Sequence, residues 1–312
     1  MKKRLTYIIV LLLITTGVWY FFIKEYDYLI TFKTTNAPGV VYHKLLHWNE
    51  GDIKKIGAAN ILEKEPFSKV TLEISNNNSN TLTAWYFERV SDSVTKVSVY
   101  LKDPKNSLSQ KVSILFGKTD FVKKNIKIVK RIRTELEAHT TKYRVSTPIE
   151  DMIPERYCAC TSSSTTITLK AAEMMIQNQK LTDFLAVNGL SVTEYPLLKV
   201  TRWNHNSQEI DFDFCFPVPK NKTYPKFEGV TLKNIPKENA LKTIFNGNYI
   251  ISDRGWYTLI DYAQRKKIAV SPFPIEFYYN DPHSGTDEMT WKTEIFFPLA
   301  NENKSKKAAY HD

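Results

Sequence analysis

The sequence predicts an α+β protein made of an N-terminal transmembrane helix and two domains, the second of them internally duplicated. Three observations carry this. An uncharged, largely apolar run fills Tyr7 to Ile23. Between Tyr26 and Ser146 a series of strand-like stretches ends in one long amphipathic helix pattern. Beyond Ile149 the order strand, helix, strand, strand occurs twice.

The apolar run is near the lower length limit for a spanning helix and ends in Trp19-Tyr20-Phe21-Phe22, residues suited to a membrane interface. A cleaved signal peptide has a similar start, but no small-x-small cleavage site follows here, so residues 1–25 read as an uncleaved signal anchor. The basic cluster Met1-Lys2-Lys3-Arg4 lies before the span, whereas Lys24, Glu25 and Asp27 after it nearly cancel. The positive-inside bias then gives a single-pass protein of the cell membrane, its N-terminus cytoplasmic and its domains extracytoplasmic. The formal net charge of +10 suits either nucleic acid or an anionic membrane surface. No arginine-rich arm and no helix-turn-helix pattern is present, which argues against a nucleic-acid partner. A protein partner is not legible.

In the first domain, residues 26–146, Asp27 to Thr34 alternates as a strand. Asn36-Ala37-Pro38 predicts a helix start with Asn36 as its cap, leading into Val40, Val41, Leu45 and Leu46. Lys69 to Ser75, Leu82 to Val90 and Val94 to Leu101 read as strands, with Asn76 to Asn80 as a turn. Thr119 to His139 is the best amphipathic helix: Phe121, Val122, Ile128, Val129, Ile132 and Leu136 line one face, and lysines cover much of the rest. The order of these elements, with Asn36-Ala37-Pro38-Gly39-Val40-Val41-Tyr42, resembles the helix-grip, START-like SRPBCC superfamily of polyketide-cyclase type. That resemblance implies a sheet closed around a long helix to make an apolar cavity. Trp48 is present, but Gly51-Asp52-Ile53-Lys54-Lys55 replaces the tryptophan-containing loop usual after it.

In the second domain, residues 149–300, Arg156 to Thr161 and Gly247 to Asp253 read as the strands that open the two copies. Thr166 to Val187 and Trp256 to Lys267 read as their helices. Tyr195-Pro196-Leu197-Leu198-Lys199-Val200 then aligns with Phe273-Pro274-Ile275-Glu276-Phe277-Tyr278, and Asp211 to Val218 aligns with Lys292 to Leu299. A pseudo-twofold domain follows, whose central strands line a groove between two helices. Residues 301–312 are a polar tail. Cys158, Cys160 and Cys215 form no disulfide framework and read as buried apolar residues, although a bridge from Cys215 to either of the others is open to an oxidising compartment. No HExxH, paired CxxC or histidine cluster occurs, so neither a metal nor a cofactor is expected.

Glu276 is the candidate that matters. It is a lone carboxylate in an aromatic run that reads as a half-buried strand, costly there when ionised unless it is paired. The counter-charge can be a Lys or Arg of the protein, or a ligand. Asp253-Arg254-Gly255-Trp256-Tyr257, Pro274-Ile275-Glu276-Phe277-Tyr278, Asn280-Asp281-Pro282 and Thr293-Glu294-Ile295 resemble the gyrase-inhibitor-like (GyrI-like) domain, the effector-binding domain of AraC- and MerR-type regulators. Asp253 stands where that family commonly has His, and Trp256 where it has Pro, which alters the rim of the groove. The resemblance implies that Glu276 meets cationic aromatic ligands, or in some members supports hydrolysis of small electrophiles. Tyr278 shares a strand face with Glu276, and Trp256, Tyr257 and Trp203 are the candidate walls. Three functions stay open: a small-molecule-binding protein, a hydrolase with Glu276 as general base, and a ligand-free interaction platform.

Overall fold

A computed structural model describes residues 2–50, 57–76, 79–91, 93–192 and 194–300. The chain is α+β, with antiparallel sheets throughout, and separates into two compact units, Met1–Glu137 and Ala138–Asp312.

The first unit opens with α1 (Lys2–Val18), which continues as a π-helical turn, Trp19–Ile23. The stretch Lys3–Ile23 has a mean hydropathy of 2.1 and is, among the described residues, the one helix long and apolar enough to cross a membrane. Its side chains from Leu5 to Ile14 are exposed. Then come β1 (Tyr28–Thr34), α2 (Pro38–Leu46), β2 (Ala58–Glu65), β3 (Lys69–Asn76), β4 (Ser79–Ser91), β5 (Val94–Lys102), α3 (Ser107–Ile114) and α4 (Asp120–Thr140). The sheet order is β1-β5-β4-β3-β2. On β5 the two-residue period buries Thr95, Val97, Val99 and Leu101 and turns Lys96, Ser98 and Tyr100 to the other face. α4 buries the stripe Val122, Ile128, Val129, Ile132 and Leu136. Trp48, Trp85 and Tyr42 are fully buried, and the two indoles meet edge to face at 6.3 Å.

Asn36 does not cap α2. Ala37 is the N-cap residue, and the Asn36 amide donates instead to Thr34 Oγ1 (2.9 Å) and to the Leu136 carbonyl (3.1 Å). Pro38 at the first helical position leaves one fewer N–H needing a cap. The largely exposed, polar edge strand β2 and the weakly patterned α3 escape sequence reading. Gly51 to Lys55 lies outside the described residues, as do residues 77–78 of the expected turn.

The second unit contains β6 (Tyr143–Val145), β7 (Ile149–Ile153), β8 (Arg156–Thr166), α5 (Lys170–Val187), β9 (Leu197–Trp203), β10 (Glu209–Pro217), β11 (Thr231–Ile235), β12 (Glu238–Gly247), α6 (Asp253–Lys266), β13 (Ile275–Tyr278) and β14 (Lys292–Pro298). Its sheet runs β11-β8-β10-β9-β13-β14-β12-β6, with β7 also on β12. The copies are therefore β8-α5-β9-β10 and β12-α6-β13-β14. Each helix is entered through a 3-10 turn, Ile167–Leu169 or Tyr249–Ile251. The halves join where β9 pairs antiparallel with β13, and in that register Leu198 faces Glu276. These two residues are equivalent in the repeat, so the pseudo-twofold axis passes between them.

Two expectations are corrected. The strand that opens the second copy is β12, ending at Gly247, and not Gly247 to Asp253. Gly247 has φ +149°, and a Cβ there would come within 3.0 Å of the Lys142 carbonyl oxygen. The Asn248 side chain then accepts from Ile250 N and turns the chain into the 3-10 segment. β13 is also not half-buried: all four of its residues are buried. Ile275 and Phe277 face an apolar layer drawn from β7 to β14, and Glu276 and Tyr278 face the helices. α6 sits close to the sheet because of Gly255, where a Cβ would meet Ile295 Cδ1 at 2.4 Å.

Cys215 lies opposite Cys160 in the β10–β8 register, and the two form a disulfide. The reading of all three cysteines as reduced core residues is thereby corrected: only Cys158 remains a thiol, pushed up to about 12 by burial. The bridge closes a loop with a sequence separation of 55, a length at which cross-linking the unfolded chain contributes about 4 kcal/mol in the entropic model. Cys160→Ser/Cys215→Ser is expected to lose about 2–4 kcal/mol in urea unfolding. Reductant should then destabilise the parent and leave the variant unchanged.

The aligned carboxylates Asp213 and Glu294 each accept from lysine. Asp213 takes Lys233 (2.7 Å), and Glu294 takes Lys242 (3.1 Å), Lys292 (2.8 Å) and the Tyr279 hydroxyl (2.8 Å). Burial alone would raise the Glu294 carboxyl, but its three donors outweigh burial and hold it below the usual range. A depressed folded-state value stabilises above the unfolded one, and the contribution is lost as pH falls through the folded one. Parent should therefore exceed Glu294→Gln in stability at about pH 7, with the gap closing below about pH 4. Parallel urea curves across that range measure it.

Candidate functional site

The five residues singled out from sequence come together between the sheet and α6, Trp256 and Tyr257 from the helix itself. Glu276 is 0% exposed and its two oxygens are taken by three protein donors. Trp256 Nε1 donates to Oε1 at 2.7 Å, while Lys170 Nζ (2.9 Å) and the Tyr278 hydroxyl donate to Oε2. Trp203 and Tyr257 do not touch the carboxylate. Trp203 packs edge-on against Trp256 with centroids 5.1 Å apart, and Tyr257 lies beside Trp203 at 6.1 Å, its hydroxyl donating to Gln208 Oε1 at 3.3 Å.

Local folding brings these groups together. Glu276 sits at the dyad, facing the helices because Ile275 and Phe277 belong to the opposite layer. Lys170 is the first residue of α5, and Trp256 stands in the first turn of α6. Counted from the 3-10 turn before each helix, Lys170 corresponds to Ser252, and the Lys170 ammonium donates to the Ser252 hydroxyl. Ser252 Oγ in turn donates to the Tyr249 carbonyl at 3.1 Å. The ammonium also lies 4.7 Å from the Trp256 ring centroid, within cation–π range.

Lys170 is the site residue that sequence reading missed. It too is 0% exposed. A signal was available: a lysine in the first helical turn opposes the helix dipole, and an anionic partner relieves that conflict. The counter-charge for Glu276 therefore comes from the protein. Tyr278 is held protonated, and so is fixed as a donor, first by burial and then by the charge of Glu276. Burial likewise pushes Tyr249 up to about 12.

Chemically this is a cage for one ammonium, made of a carboxylate, an indole face and the Ser252 hydroxyl, and filled by the chain's own lysine. Among the described residues no group of three His, Cys, Asp or Glu could hold a metal ion.

The second unit is thus a duplicated strand–helix–strand–strand domain with a buried carboxylate at its dyad, entered from both sides by a helix start. Residues 146–300 match the family described as the GyrI-like small molecule binding domain. Solved structures are similar to it at low identity, each with a TM-score below 0.5. The EcmrR C-terminal domain is 20% identical, with TM-score 0.40, covering 51% of this chain and 98% of that one. A hydrolase from Listeria innocua is 11% identical, with TM-score 0.34, covering 53% and 97%. SAV2435 bound to tetraphenylphosphonium is 8% identical, with TM-score 0.33, covering 53% and 98%. No curated protein matches the chain.

Removing one partner of a buried pair strands the other charge and costs about 3–5 kcal/mol, whereas replacing both with apolar groups of similar volume is near neutral. Glu276→Leu and Lys170→Met are each expected to destabilise by that amount, and the double variant by much less than their sum. A urea double-mutant cycle measures it, and additive losses would exclude the coupling.

Proposed function

We propose that this is a single-pass membrane protein whose extracytoplasmic GyrI-like domain binds a cationic or amphipathic aromatic molecule at the Glu276 cage, in exchange for the Lys170 ammonium. One observation carries the reading: the cage already holds a cation, paired with Glu276 and lying on the face of Trp256. A ligand cation would make the same contacts, with Tyr278 donating to the carboxylate and Trp203 and Tyr257 extending the aromatic wall. Binding then includes the cost of displacing Lys170, so apparent affinity falls with the fraction of molecules in which the cage is open.

The apolar, uncovered run Lys3–Ile23 supports the anchor. The Cys160–Cys215 bridge supports an oxidising, extracytoplasmic setting. In the first unit, the strand order β1-β5-β4-β3-β2 with α2 after β1 and α4 at the end supports the helix-grip, START-like reading. Trp48, Trp85 and Tyr42 occupy its interior, so we assign ligand binding to the second domain.

A second reading, the closed platform, is favoured by the zero exposure of Glu276 and Lys170. The hydrolase reading has less support, because a general base needs a proton or water within reach, and both Glu276 oxygens accept from protein donors.

Calorimetric titration of the full chain in detergent with benzyltrimethylammonium and tetraphenylphosphonium separates these readings. Under exchange, Lys170→Ala binds at least about tenfold tighter than the parent, and Glu276→Gln loses binding. Lys170→Ala binding no better than the parent would leave the closed platform. Ester turnover lost in Glu276→Gln would restore the hydrolase.

A further inference from the structure

α3 carries an apolar stripe with no protein cover. Leu108 is 53% exposed, Val112 46%, Leu115 60% and Phe116, in the turn just after the helix, 89%. At 100° per residue these four fall within about a 100° arc, the width of an amphipathic face. The remaining sides of the helix carry Ser107, Gln110, Lys111 and Ile114, which are buried or half-buried. Exposed Lys105 and Lys118 flank the stripe in sequence.

What identifies the partner is where α3 is attached. Lys111 is buried, and its ammonium donates to the Phe21 carbonyl (3.4 Å) and to the Lys24 carbonyl, capping the end of the helix that begins at Lys2. The Tyr20 hydroxyl donates back to the Lys111 carbonyl at 3.2 Å. Ser107 Oγ donates to Asp27, whose other oxygen accepts from Asp103 N at 2.7 Å. α3 is thus fixed to the exit of the apolar run through its first and fifth residues, and the centre of the stripe lies about 90° around α3 from Lys111, on the adjoining side.

We propose that α3 and the following turn are a membrane-interface element. Leu108, Val112, Leu115 and Phe116 insert at the headgroup–acyl boundary of the bilayer that the N-terminal helix crosses, while Lys105 and Lys118 meet lipid phosphates. The proposal rests on the anchor reading. Interfacial helices of this kind sit roughly 5–10 Å into that boundary. Trp19 and Phe22, at the end of the apolar run to which α3 is attached, are also exposed aromatic residues suited to that boundary. The insertion would fix the first domain's attitude on the membrane, which a single flexible tether cannot do.

The test uses the full chain reconstituted in phosphatidylcholine–phosphatidylglycerol vesicles, with an environment-sensitive fluorophore at one introduced cysteine. Leu12→Cys reports on the span, and Phe116→Cys on the stripe. Ser91→Cys, at the end of β4, lies about 20 Å along the sheet from the anchor exit. Nitroxide lipids labelled near the headgroup should quench position 116 strongly, deep-labelled lipids should quench position 12, and neither should quench position 91. Quenching at 12 without quenching at 116 overturns the proposal and leaves the anchor standing. No quenching at 12 removes the anchor reading and this proposal with it. Equal quenching at 116 and 91 would mean non-specific contact, and also overturns it.

Discussion

The fold of the second domain turns on one buried ion pair, Lys170–Glu276, at its dyad. Such a pair is weak evidence for stability, because desolvating two charges offsets most of their attraction. Here it has another consequence. β13 is buried on both faces, and a one-residue slip exchanges those faces. A slip would drive Glu276 into the layer of Ile275 and Phe277, where Phe296 and the β8 cysteines supply no donor. The carboxylate therefore makes the β9–β13 register, and with it the joining of the two halves, close to obligatory.

The pair also marks where the duplication has diverged. At the dyad one copy contributes Leu198 and the other Glu276. At the helix entry one contributes Lys170 and the other Ser252. The two charges are divided between the copies: Glu276 comes from the second, the ammonium from the first, and the serine that accepts from that ammonium from the second again. A symmetric ancestor with two carboxylates facing each other across β9 and β13 would repel itself at hydrogen-bonding range. The present asymmetry gives one anion and one cation to the same small volume.

The parts legible in sequence were those with a period. The alternation of β5, the stripe of α4 and the paired β-hairpins of the repeat follow from burial on one face, and they appear where the pattern put them. Glu276 was legible for the opposite reason, as a violation of its surroundings. What failed to read was decided by tertiary contact. Asn36 looks like a cap, but its amide is drawn away to Leu136, a hundred residues on. Gly247 looks like the start of a strand because only the neighbouring Lys142 backbone shows why a side chain cannot sit there. Cys160 and Cys215 acquire meaning only once the register places them opposite each other. Lys170 was hidden because one lysine among many carries no pattern, and its departure lies in where its helix begins.

That position bears on how the cage could change state. An ammonium in the first turn of α5 faces the positive end of the helix dipole, which by itself disfavours it. Three things hold it there: Glu276, the Trp256 face and the Ser252 hydroxyl. The indole and the hydroxyl are neutral, so the carboxylate decides the balance. A stronger cation for Glu276 would release a lysine that its own helix already repels, and a four-carbon stem at a helix start can reach solvent with little backbone movement. A Glu276 paired instead with an arginine fork from a mid-helix position would have no such route. The placement of Lys170, more than the presence of an ion pair, is what makes exchange a physical option for this domain.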